Sequence, residues 1–262
     1  MDILKQLSDH ARSRVIEKKR NIPEEEMKNL ALQITLPKKD SFRTALEHTG
    51  MSFICECKKA SPSKGIIDSE FAYREIAEDY VAAGADAISC LTEPRYFLGD
   101  DRYLKEISVL PVPVLRKDFI VDPYMIYEAK MLGASAVLLI VAILQREELQ
   151  EYLEVAHSIG LHALVEVHDE EEAAAAVSCG AEIIGVNNRN LRDFSVDINN
   201  SIRLRDRIPG NILMVAESGI RSREDIIRME NADISGVLIG ETLMKAKDRK
   251  KMLKELKGEM TV

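Results

Sequence analysis

Three glutamates, two lysines and an asparagine stand where short apolar runs stop. Glu56 and Lys58 follow Met51-Ser52-Phe53-Ile54-Cys55, and Lys117 follows Val112-Pro113-Val114-Leu115-Arg116. Glu166 follows Ala163-Leu164-Val165, Asn187 follows Ile183-Ile184-Gly185-Val186, and Glu217 follows Ile212-Leu213-Met214-Val215-Ala216. An ammonium group can donate a proton and a carboxylate can accept one. In a partly dry pocket, nearness of the two shifts both pKa values and prepares proton transfer. A charged residue at a strand end often does no more than reach water. Five ionisable groups at equivalent ends of successive runs are a stronger signal, provided the fold brings those ends together.

The runs themselves say what fold that is. Eight of them end near residues 56, 91, 117, 140, 166, 187, 217 and 239. The ends are about 20 to 35 residues apart, room for a strand, a loop and a helix. Strands covered by helices on a parallel sheet read as continuous apolar runs. Eight such units predict an α/β fold, a closed (β/α)8 TIM barrel, whose chemistry sits at the C-terminal strand ends. No low-complexity linker interrupts the alternation, so residues 1–262 read as a single barrel domain with residues 1–50 as an N-terminal helical extension. In that extension Ile3, Leu4, Leu7, Ala11 and Val15 form an apolar helical stripe. A second helix is expected after Pro23 and a third from near Ser41; the extension is either a plug beneath the barrel or a cover over its mouth. Gly84, Gly133, Gly160 and Gly180 are expected to stop helices. Asp122-Pro123 and Ser222-Arg223-Glu224-Asp225 are expected to start them.

Composition narrows the function classes. A net charge of −8 argues against a general nucleic-acid binder. The longest apolar stretch, residues 134–144, is too short to span a bilayer, and no secretory signal is apparent. A cytoplasmic enzyme is expected, with Cys55, Cys57, Cys90 and Cys179 as free thiols and Cys55 and Cys57 as small apolar fillers. The histidines, at 10, 48, 157, 162 and 168, form no metal-binding spacing, so no metal is expected. A monomer is the default.

A phosphate site is expected at the last two strand ends. Ser218-Gly219 and Gly240-Glu241 put small residues where such barrels bind phosphate through backbone N–H groups. Ser61, in Ser61-Pro62-Ser63-Lys64-Gly65, adds hydroxyls after the first strand, and Arg189 follows Asn187 closely enough to supply a cation.

These segments resemble one family. Glu56-Cys57-Lys58-Lys59-Ala60-Ser61-Pro62-Ser63-Lys64-Gly65 is similar to the signature of indole-3-glycerol phosphate synthase. The likeness continues through Leu91-Thr92-Glu93, Leu115-Arg116-Lys117-Asp118-Phe119-Ile120, Val165-Glu166-Val167 and Gly185-Val186-Asn187-Asn188-Arg189-Asn190-Leu191. It closes with Ala216-Glu217-Ser218-Gly219-Ile220 and Leu238-Ile239-Gly240-Glu241-Thr242-Leu243-Met244. The resemblance implies cofactor-free conversion of 1-(2-carboxyphenylamino)-1-deoxyribulose 5-phosphate to indole-3-glycerol phosphate, carbon dioxide and water. It implies Lys117 as the general acid of ring closure, Glu166 in the proton transfer of dehydration, and Lys58 as an acid for the leaving hydroxide. Which lysine serves which step stays open. Glu56 and Glu217 would orient the lysines and substrate, Asn187 would hydrogen-bond the substrate, and Ser61, Arg189, Ser218, Gly219, Gly240 and Glu241 would lie at the phosphate. Phe119, Leu138 and Ile239 would wall the aromatic ring. Some family members carry serine at the Glu241 position, so contact there is expected from the backbone N–H alone. The alternatives are another phosphosugar barrel such as phosphoribosylanthranilate isomerase, a Schiff-base aldolase on Lys117, and a phosphate-ligand barrel without turnover.

Overall fold

A computed structural model describes residues 3–35, 42–190 and 193–259. Ser41 and Leu191 lie outside the described residues. Eight parallel strands close into a barrel: β1 Ser52–Cys57, β2 Ala87–Leu91, β3 Val114–Lys117, β4 Ala136–Ile140, β5 His162–Val167, β6 Ile183–Asn187, β7 Leu213–Glu217 and β8 Gly236–Ile239. β8 returns to β1 with Cys55 opposite Ile239, and β1 pairs onward with β2 with Glu56 opposite Ser89. Closure leaves no strand edge open, as a buried parallel sheet requires. Every residue of β1, β2, β4, β6 and β8 is buried.

The helices that cover this sheet follow the expected punctuation. After α1 Ile3–Asn21, α2 Glu24–Gln33 and α3 Phe42–Leu46 come α4 Tyr73–Ala82, α5 Asp101–Ile107, α6 Pro123–Met131 and α7 Arg146–Ser158. Then α8 Glu170–Ser178, α9 Asn199–Arg205, α10 Arg223–Asn231, α11 Glu241–Met244 and α12 Arg249–Lys257 complete the chain. Asp122 caps α6 by accepting from the Tyr124 N–H, with Pro123 in the first turn. Ser222 and Asp225 form a reciprocal capping box on α10. Gly84, Gly133, Gly160 and Gly180 all take positive φ, which turns each helix back toward the next strand. Cys55 and Cys57 alternate with Glu56, so they face the helices while the glutamate faces the barrel interior. Both thiols are buried, and burial pushes them above their ordinary range.

The N-terminal extension does both jobs considered for it. α1 lies across the barrel mouth, with Ile3 and Leu7 lining the cavity there and Leu7, Ala11 and Val15 buried. A basic stripe at spacing four docks it. His10 lies 3.1 Å from Glu93, Arg14 donates to both Asp118 oxygens at 2.7 and 3.1 Å, and Lys18 reaches Asp101 and Glu128 at 2.5 and 2.6 Å. α3 instead closes the opposite end. Phe42 and Leu46 are buried, Ser52 at the start of β1 meets His48 at 3.1 Å, and Arg43 pairs with Glu182 just before β6.

Candidate active site

Side chains at the C-terminal ends of the strands surround a cavity of about 340 Å³. Period-two alternation aims every second residue of a strand inward, and a barrel makes those inward directions converge. Lys117, at the end of β3, reaches across to β5 and β7. Its Nζ lies 3.1 Å from Glu166 Oε2 and 3.2 Å from Glu217 Oε2. The Lys117 side chain is 14% exposed and both glutamates 3%, so this ion triad is nearly dry. Lys58 contacts Glu56 Oε1 on the β1 side of the same cavity.

The two glutamates beside Lys117 are not equivalent. Glu166 Oε1 accepts from Asn187 Nδ2 at 3.2 Å and has His168 Nε2 at 3.5 Å. Glu217 Oε1 is buried with no hydrogen-bond partner. Burial works to raise both carboxyls. For Glu166, Lys117, His168 and Asn187 outweigh it and hold the carboxyl below its usual range. For Glu217, burial prevails with help from the charge on Glu166, and the carboxyl is pushed up to about 7. The Lys117 ammonium is destabilised by burial, but Glu166, Glu217 and Glu56 more than compensate and raise it. One carboxylate is thus held charged and the other is ready to carry a proton, with an ammonium between them. Environments that push two carboxyls apart in this way assign acid and base roles.

Beyond this triad the cavity has a cationic, loop-built end. Ser218 and Gly219 follow β7 at φ +67 and +89. A non-glycine residue in that region is uncommon and is held there by its surroundings; Asn188 Nδ2 donates to the Ser218 carbonyl at 3.1 Å. Arg189 is placed by its backbone N–H to Asn187 Oδ1 at 3.0 Å and its guanidinium to the Phe194 carbonyl at 3.2 Å. Ser61, Ser63, Gly240 and Glu241 complete the lining. Phe119, Leu138 and Ile239 form an apolar side with Phe97, whose ring centroid is 6.2 Å from that of Phe119. Among the described residues, no group of His, Cys, Asp or Glu has the arrangement of a metal site.

An indole-3-glycerol phosphate synthase family model matches residues 4–256. The chain belongs to the indole-3-glycerol phosphate synthase family. An indole-3-glycerol phosphate synthase of Ruminiclostridium cellulolyticum is 48% identical over 257 residues, covering 98% of this chain and 99% of that one. That of Endomicrobium trichonymphae is 54% identical over 218 residues, 83% of this chain and 84% of the other. Among solved structures, a 3-hexulose-6-phosphate synthase from Salmonella typhimurium superposes with a TM-score of 0.66 at 15% identity, covering 79% of this chain and 97% of its own. A mutant tryptophan synthase α-subunit from Pyrococcus furiosus gives 0.61 at 17% identity, covering 79% and 98%. At such identities the likeness is one of fold.

All fifteen site positions expected from the sequence line this one cavity of the indole-3-glycerol phosphate synthase family member. Two details add to the expectation. Gly240 has an ordinary negative φ, and a Cβ there would collide with the Glu56 carboxylate and Lys58; its small size serves the ion pair. The Glu241 side chain also has a setting of its own, 2.7 Å from Lys245, 3.7 Å from Arg189 and 3.8 Å from Lys64, which offsets the repulsion expected of a carboxylate near a phosphate. Sequence reasoning missed His168, Asp118 and Gly185. Gly185 carried a readable signal, a glycine inside an apolar strand; a Cβ there would run into Glu217 Oε1.

Proposed function

We propose that this protein is a carboxy-lyase that closes the indole ring of 1-(2-carboxyphenylamino)-1-deoxyribulose 5-phosphate, giving indole-3-glycerol phosphate, carbon dioxide and water. The observation that carries this reading is Lys117 held between Glu166 and Glu217 in a nearly dry cavity with an apolar side and a cationic end.

The chemistry follows from that placement. Attack of the carboxyl-bearing ring carbon on the ketone puts negative charge on the ketone oxygen, and the Lys117 ammonium donates a proton there. Loss of carbon dioxide restores the aromatic ring. Dehydration then needs an acid for the departing hydroxyl, the role of Lys58 braced by Glu56, and a base for the adjacent carbon's proton, the role of Glu166. Two protons go in and one comes out, so each turnover takes one proton from water to replace the carboxylate lost as carbon dioxide. Glu217 orients Lys117 and is poised to exchange a proton near neutrality. Asn187 holds Glu166 Oε1 and turns its own oxygen to the Arg189 N–H. The phosphate lies against Ser61, Arg189 and the Ser218-Gly219 and Gly240-Glu241 backbone, and the aryl ring against Phe119, Leu138 and Ile239.

These side chains all belong to one barrel, so the proposed reading is of one barrel domain over residues 1–262, acting as a monomer. The four free cysteines fit a reducing cytoplasm. Among the described residues no helix is long and apolar enough to cross a membrane. Purified protein mixed with the carboxyphenylamino-deoxyribulose phosphate should develop indole fluorescence with stoichiometric carbon dioxide. Absence of both refutes the assignment. Borohydride added during turnover should leave Lys117 unmodified; a reduced covalent adduct there would favour a Schiff-base aldolase.

A further inference from the structure

His168 stands two residues beyond Glu166, so strand alternation turns both toward the barrel mouth. Its neighbours fix it firmly. The His168 N–H donates to Glu172 Oε2 at 2.8 Å, its ring Nδ1 lies 3.1 Å from the same oxygen, and Asn200 Nδ2 donates to its carbonyl at 3.0 Å. α8 and α9 therefore hold the residue from two sides. The other ring nitrogen, Nε2, is buried without a hydrogen-bond partner and lies 3.5 Å from Glu166 Oε1. A buried polar atom left without a partner costs stability and calls for a reason. The oxygen it approaches belongs to the carboxylate assigned the proton of dehydration.

We infer that His168, braced by Glu172, is a positioning residue that holds Glu166 ionised and aimed at the substrate. The inference rests on the reaction proposed above. The groups facing the imidazole are Glu172 from α8, Glu166 from β5 and Glu217 from β7, with Lys117 from β3 on the far side of Glu166. Burial disfavours its charged form, but the hydrogen bond to Glu172 and the charges of Glu166 and Glu217 outweigh that and raise its pKa. An imidazolium beside Glu166 favours the carboxylate over the carboxylic acid, the form a base needs. Lys117 occupies Oε2, and Asn187 and His168 the Oε1 side, so the carboxylate is held from three directions.

The sign of the effect is definite. Removing a cation from beside Glu166 makes that carboxylate easier to protonate, so the acidic limb of kcat moves to higher pH. His168→Leu is expected to lower kcat by about 10-fold, to leave KM within about twofold, and to raise the acidic limb by about half a pH unit or more. His168→Gln keeps an N–H donor without the charge; it should recover most of kcat yet keep the displaced limb. Unchanged kcat and unchanged limb in His168→Leu would overturn the inference, as would a loss in His168→Leu confined to KM. A second measurement does not depend on turnover. Imidazole NMR should show the His168 pKa lower in Glu166→Gln than in the wild type, and equal values in the two proteins would overturn the contact. If the wild type formed no indole product, the reaction assignment would fall, while the NMR comparison would still decide whether His168 and Glu166 act on one another.

Discussion

Glu166 and Glu217 touch the same ammonium at nearly the same distance, yet one carboxyl is held below its usual range and the other is pushed up to about 7. The difference lies in their second oxygens. Asn187 and His168 attend Glu166, whereas Gly185 presents Glu217 with bare backbone. A protonated-carboxyl infrared band that bleaches near pH 7 and is missing in Glu217→Gln would bear this out. A carboxyl raised in the folded state stabilises the fold below its unfolded pKa, and that contribution fades as pH climbs through about 7. Urea titrations at pH 5 and 8 should therefore differ less in Glu217→Gln than in the wild type. Gly185→Ala forces a methyl into the Glu217 carboxylate. It should lower kcat by roughly 10-fold or more with the barrel intact by circular dichroism, because a small misplacement of a positioned group is costly; normal kcat would mean that Glu217 has room to move.

At the scale of elements, the mouth is covered by α1 and the cover is latched by charge. Asp118 is fully buried between Arg14, the Thr92 hydroxyl at 2.7 Å and the Phe119 N–H at 2.8 Å. Burial works to raise its carboxyl, but Arg14 above all holds it down to about 2. A depressed carboxyl stabilises the fold above its unfolded pKa, near 4, and that stability is lost as pH falls through about 2. Arg14→Met leaves the buried Asp118 carboxylate with only Arg116, at 3.7 Å, as a cationic partner, which should cost about 3 kcal/mol. It should also move acid unfolding to higher pH. A denaturation midpoint equal to the wild type's at pH 7 would show that the Arg14–Asp118 pair does not hold α1 in place. Much of this level was legible beforehand. The eight strand ends, the α6 and α10 caps and the four helix-stopping glycines all follow from local chemistry that a sequence displays. The latch does not, because its partners are about 80 to 110 residues apart and meet only once the barrel closes. Arg116 shows why. It reads as the tail of an apolar run, yet it is wholly buried on the outer face of β3, bonded to Asp101, Glu128, Thr92 and the Met125 carbonyl.

As a whole, the molecule carries a net charge of −8 and still places Arg189 and Lys245 at one end of its cavity, with Lys64 3.8 Å from Glu241 beside them. A local cationic site on an acidic protein selects small anions and repels polyanions. Inorganic phosphate should therefore raise the thermal midpoint in a saturable way and compete with the substrate. Arg189→Met should weaken both effects about tenfold, the scale of one charge-assisted contact; undiminished competition would place the phosphate elsewhere. The site's membership was readable because chain order and barrel geometry together dictate which ends meet. What stayed hidden were contacts set by side-chain reach, such as His168 to Glu166 and Glu241 to its three cations.

Ring closure depends most on Lys117 as its acid, and turnover by Lys117→Ala tests that role most directly. In the indole-fluorescence assay its kcat should fall by about 10²-fold or more, the usual scale for a positioned acid, with the circular dichroism spectrum and phosphate-induced stabilisation unchanged. Near-normal kcat in that variant would contradict the mechanism.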